Sequence, residues 1–157
     1  MSTPSGSTGT RVYIAPSTTT EPADATAYGA LVWTEIGDVE SLGDYGDEAP
    51  ILTAQTLQDE RVFKAKGARD AGTLVITCLD RPDDLGQIAA IAGEATKFNY
   101  PIKVVLPNRL TVAGTDQIEY MIGLVSSKRL TVGDNSAFLR RAFSVAINSK
   151  ITSVAAT

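Results

Sequence analysis

The chain has 157 residues, with 43% hydrophobic and 20% charged side chains, the balance of a soluble globular domain and not of a disordered one. A formal net charge of −4 argues against a protein that grips nucleic acid through its phosphates, which needs clustered lysine and arginine. Histidine is absent and Cys78 is the single cysteine, which removes the commonest general base and zinc ligand, His-assisted nucleophiles, internal disulfides and cysteine metal clusters.

Residues 1–10 (MSTPSGSTGT) offer no side chains to bury and read as a flexible arm. They lack a basic stretch followed by an apolar core, so they are no secretory signal, and no apolar run approaches the ~18 residues of a membrane span. Residues 11–149 read as one domain. Its first strand is RVYIA at 11–15, closed by Pro16, and the polar, proline-punctuated residues 17–27 read as a loop. Residues 28–36 (YGALVWTEI) carry apolar groups on both faces and read as a strand covered on both sides. Trp33 within it suits either core packing or a subunit contact.

Residues 37–72 are the least domain-like part. They open with the acidic, turn-rich GDVESLGDYGDEAP. The spacing of Asp38, Glu40, Asp44, Asp47 and Glu48 does not match a calcium loop, and a solvated acidic loop is the better reading. Two β-like runs follow, at 51–57 and 61–65. Thirty-odd residues is long for a connection inside a compact domain. Ile51, Leu52, Leu57, Val62 and Phe63 are too apolar for a free loop, so a projecting hairpin ordered by a neighbour is expected.

Residues 73–79 (TLVITCL) set Leu74, Ile76 and Cys78 on one apolar face of a central strand, where a buried, inert thiol is expected. Asp80-Arg81-Pro82-Asp83-Asp84 then starts a helix, with Asp80 as cap and proline in the first turn. Leu85, Ile88, Ala89 and Ala92, widened by Ile91, form the stripe expected to dock on a sheet. Strands are predicted at 102–106, 118–127 and 138–148, with a turn at Gly133-Asp134-Asn135. Residues 150–157 are a C-terminal tail that frays unless Ile151 and Val154 anchor it. Six or seven strands and one helix predict a mainly β fold, an antiparallel β-sandwich or partly closed barrel with one flanking α-helix.

The order of these parts, and the passage GARDAGTLVITCLDRPDDLGQIA with Gly86-Gln87 inside the helix, resembles the major tail tube proteins of siphophages, the phage lambda type. The resemblance implies copies of the chain joined in hexameric rings, stacked into the hollow tube of a long non-contractile tail. DNA would pass through at ejection, and other tail proteins would bind at the tip and terminator ends. It implies assembly in the host cytoplasm, residence in the virion tail, no cofactor and no membrane insertion. Six copies at −4 each would repel passing DNA. Some relatives carry a C-terminal immunoglobulin-like domain, which this chain is expected to lack.

On that resemblance the hairpin within 37–72 reaches a neighbouring subunit or ring. Ile51, Leu52, Leu57, Val62 and Phe63 would be buried on assembly. Asp59, Glu60, Arg61, Lys64, Lys66, Arg69 and Asp70 would form ring-to-ring pairs, and Trp33, Asp44 and Tyr45 join the contact candidates. Three rival readings stand beside it: the tube of a secretion-like apparatus, a β-sandwich receptor-binding module, and an enzyme using Asp80, Asp83 and Asp84.

Overall fold

Turn-forming glycines and prolines cut the apolar runs into short segments, and the computed structural model, which describes residues 3–157, shows what they become. Among those residues there are ten strands: β1 (Arg11–Ile14), β2 (Thr34–Ile36), β3 (Val39–Leu42), β4 (Ile51–Ala54), β5 (Phe63–Lys66), β6 (Thr73–Leu79), β7 (Tyr100–Leu106), β8 (Gln117–Thr131), β9 (Arg140–Ile147) and β10 (Thr152–Val154). Two helices join them, α1 (Ala25–Gly29) and α2 (Leu85–Glu94). The class is mainly β and antiparallel, as the alternation predicts.

One sheet runs in the order β2-β1-β7-β8-β9-β6-β3, with β10 beside β8, and β4 and β5 form a separate two-stranded ribbon. The consecutive strands β2 and β3 therefore lie at opposite edges of the sheet. Gly37 and Asp38 alone connect them, so the sheet curls until its edges nearly meet, but β2 and β3 share no ladder and the curl stays open.

The main core fills the curl. Leu74, Ile76 and Cys78 of β6 meet Val12, Ile14, Ile102, Val104, Met121, Phe143 and Val145, all fully or nearly fully buried. β8 serves two cores because both of its faces are covered. Met121 and Val125 face the main cluster, while Tyr120 and Ile122 join Tyr28 in a second cluster beside α1.

Several expectations change. The strand expected over 28–36 is a short helix, a connection and the three-residue β2. Asp24 accepts a hydrogen bond from Ala27 N at 2.8 Å, and that cap turns Ala25–Gly29 into α1, placing Tyr28 in the second core. The fold thus has two helices, not one. Residues 39–42, read as part of the loop, are edge strand β3. The tail is held: β10 pairs with β8, and Thr157 accepts from Leu110 N while its own N donates to Thr115 O. Residues 3–6 of the N-terminal arm are exposed and unstructured, Met1 and Ser2 lie outside the described residues, and Thr10 closes a turn onto Ser7.

The helix α2 is capped by Asp84 and not by Asp80, and it docks by a different face from the expected stripe. Gly86, Gln87, Ala90 and Gly93 are buried, whereas Leu85 is 70% exposed and Ile88 45%. Close approach decides the face. A Cβ on Gly86 would stand 2.1 Å from the Glu35 carbonyl oxygen, so only glycine lets α2 sit on the β2 backbone. Gly86→Ala is expected to lower the unfolding free energy by at least about 2 kcal/mol in a urea titration. Gly29→Ala, where an added Cβ meets nothing, is the matched control with no loss.

Candidate assembly surfaces

The long segment 37–72 divides in two. Its start, through β3, belongs to the sheet. The remainder is an arm whose strands pair from the root outward: Gly46 N donates to Ala71 O, Glu48 and Asp70 exchange hydrogen bonds at 2.8 Å, and Gly67 N donates to Pro50 O. Beyond that, Ile51 pairs with Lys66, Leu52 with Ala65, Thr53 with Lys64 and Ala54 with Phe63. All eight residues of β4 and β5 are exposed.

Directly opposed residues share a face of an antiparallel ribbon. One face of the arm is therefore Leu52, Ala54, Phe63 and Ala65, which is wholly apolar. The other is Ile51, Thr53, Lys64 and Lys66, which is basic. Leu57 and Val62 add exposed apolar surface toward the tip, where Thr56 donates to the Asp59 carboxylate. Glu60 and Arg61 are exposed there. Arg69 faces Asp47 at 3.8 Å, and Asp70 accepts from Gly72 N, so both serve the arm's own root.

Three of the contact candidates lie apart from these. Trp33 is half-buried: its Nε1 donates to Tyr28 O at 3.0 Å, and its ring tilts on Tyr120. Tyr45 packs on the main core and its Oη donates to the Glu119 carboxylate. Asp44, next to it, is exposed.

Sequence reasoning missed a second exposed patch, on the β8–β9 hairpin. Leu130, Val132, Phe138 and Leu139 are all exposed around its turn. β7 pairs with β8 only as far as Gly123, and no strand among the described residues occupies that side of β8 from Leu124 to Thr131. The only signal was the short alternation Leu130-Thr131-Val132 after four polar residues, Ser126 to Arg129, which reads equally well as the approach to a turn. The far side of β3 is a second open edge, beside a groove of about 540 Å³ lined by Ser7–Thr10, Val39, Tyr45 and Leu106. The β8 edge carries Lys128 and Arg129, and β3 carries Glu40 with Asp38 just before it.

The carboxylates are committed to structure. Asp80 pairs with Arg141 at 2.8 Å, Asp38 with Arg81 at 3.0 Å, and Glu40 with Arg140 at 2.6 Å. Asp84 caps α2, and Asp83 is exposed near Arg81. Cys78 is fully buried, and burial, with Asp84 and Asp80 adding to it, pushes its thiol up to about 11.

No family model matches the sequence, and neither does any curated relative. Solved structures do match in fold. A chain of the PVC sheath/tube terminator, part of an extracellular contractile injection system, superposes with a TM-score of 0.70 at 9% identity over 98% of both chains. A chain of the anti-feeding prophage baseplate, solved with 6-fold symmetry, gives 0.69 at 11% identity over 99% of this chain and 98% of that one. The SPP1 tail tube protein gives 0.63 at 9% identity over 93% of this chain and 76% of that one. The chain has the tail-tube fold, the architecture shared by phage tail and contractile injection-system proteins.

A buried thiol held above the usual cysteine range stays protonated and inert. At pH 8 a thiol reagent is expected to leave Cys78 unmodified in the folded protein and to modify it fully once guanidinium unfolds the chain.

Proposed function

We propose that the chain is a structural subunit that assembles with itself into the stacked rings of a hollow tube. In its fullest form, this is the hexameric tube of a long non-contractile phage tail, assembled in the host cytoplasm. It would be capped by other tail proteins at tip and terminator, and crossed by DNA at ejection. The observation that carries the reading is the arm: an amphipathic two-stranded ribbon, fully exposed on a body whose own core is complete without it. Isolated ribbons of this size are marginal in water, and a row of exposed apolar side chains is a contact surface.

Ring formation finds support in two of the sheet's open edges. They lie on different strands, so pairing β8 of one copy with β3 of the next is head-to-tail, the type of contact that closes into a ring. The net charge of −4 per copy suits a conduit that repels DNA.

A second reading, the tube of an injection or secretion-like apparatus, is favoured by the 98% mutual coverage with the PVC chain. The two separate in the particles that carry the protein. A sheathless tail with this chain as its main component supports the first, and a tube inside a contractile sheath supports the second.

Negative-stain electron microscopy of the purified chain, alone and with tip proteins, is expected to show rings or tubes. The variant Leu52→Ser/Phe63→Ser is expected to abolish them while shifting the stability of the monomer by no more than about 0.5 kcal/mol, since both side chains are already exposed. A chain that stays monomeric under every condition would overturn the reading.

A further inference from the structure

The arm joins the body through a short junction. Gly43 N donates to Val75 O at 2.8 Å, the last rung to β6, and Gly46 N donates to Ala71 O at 3.2 Å, the first rung of the arm. Gly46 (φ 143°) and Gly72 (φ 77°) hold conformations that L side chains rarely adopt, one on each strand of the arm's root. Such backbone is a natural pivot, because it has no side chain to restrict rotation.

On the strand that leaves the body only Asp44 and Tyr45 lie between those two rungs, while on the returning strand Gly72 accepts from Ile147 N at 3.0 Å, which fixes the body side of the pivot. Tyr45 turns inward, packs its ring against the main core and donates its Oη to Glu119 on β8, 74 residues further along the chain. The acceptor is itself positioned, since Gln117 Nε2 donates to Glu119 Oε1 at 3.2 Å and Ser153 Oγ approaches the same atom at 3.5 Å. Burial, then the neighbouring Glu119 carboxylate, raises the Tyr45 phenol above its ordinary range, so it remains a protonated donor throughout the neutral range.

We propose that the Tyr45–Glu119 hydrogen bond is a latch that sets the direction in which the β4–β5 arm leaves the body. Without it, the arm pivots about Gly46 and Gly72 while the sheet and its core stay intact. The latch is a property of the single chain. Its consequence rests on the tube reading: an arm aimed before contact loses less conformational freedom on docking to a second copy.

The test is a distance measurement between spin labels on Asp59→Cys at the arm tip and Lys97→Cys on the body, both exposed positions, with Cys78 buried beyond the reach of the label. The expected result is one narrow distance distribution in the parent and a broad one after Tyr45→Phe, which keeps the ring in the core and removes only the hydroxyl. Glu119→Gln, which keeps an acceptor and loses its charge, is expected to fall between them. Equally narrow distributions would show that the backbone alone aims the arm, and equally broad ones that nothing does; either overturns the latch. In unlabelled protein, Tyr45→Phe is expected to raise the concentration needed for ring formation about tenfold, the order set by losing one hydrogen bond to a charged acceptor. Rings absent from the parent would overturn the tube reading and leave the distance result to judge the latch by itself.

Discussion

The fold depends on how a sheet whose first and last strands are neighbours in sequence is kept curled. β2 and β3 form no ladder with each other, so side chains must hold the seam. Asp84 and Gln87 do this from the first turn of α2. The Asp84 carboxylate accepts from Gln87 N at 2.9 Å, capping the helix, and from Gly37 N at 3.2 Å across the seam. Gln87, 1% exposed, donates to Leu79 O at 2.8 Å and to Gly37 O at 3.3 Å, and accepts from Arg81 N at 3.1 Å. These are half-buried backbone groups, and each such bond contributes about 0.5–1.5 kcal/mol. Gly86 is what lets the helix come close enough for those bonds to form.

This explains the Gly86-Gln87 pair that carried the family resemblance. Glycine gives the approach and glutamine gives three backbone contacts. Neither role involves chemistry on a ligand. It also explains why the apolar stripe misled. Leu85, Ile88, Ala89 and Ala92 suit a helix lying across a layer of side chains, whereas α2 sits directly on strand backbone and turns its smallest residues inward. Leu85 and Ile88 are consequently left outside.

Much of the rest was legible where a physical pattern repeats. Leu74, Ile76 and Cys78 alternate without interruption, and all three are buried. The arm was legible because apolar residues in a turn-rich stretch have no other explanation. Its sorting into an apolar and a basic face was not, since that requires the register between β4 and β5. The reach of Tyr45 to Glu119 was hidden for the same reason: nothing local announces it. α1 was hidden because five residues and one aspartate cap are too few to outweigh the β-favouring Leu31, Val32 and Trp33 beyond it. The β8–β9 tip was missed because continuous pairing past Ser127 depends on a bulge between Val125 and Ser127, which the sequence does not announce.

Open edges and an apolar ribbon are ordinarily liabilities, since either can recruit the wrong partner. Here each carries its own restriction. The arm's second face bears Lys64 and Lys66, so only one side of the ribbon can be buried without desolvating two ammonium groups. The β8 edge carries Lys128, paired with Glu94 at 3.0 Å, and the β3 edge carries Glu40, paired with Arg140, so a strand added at either edge has charged groups to desolvate. On the tube reading, the features that would make a lone subunit prone to aggregation are the ones that would meet a second copy.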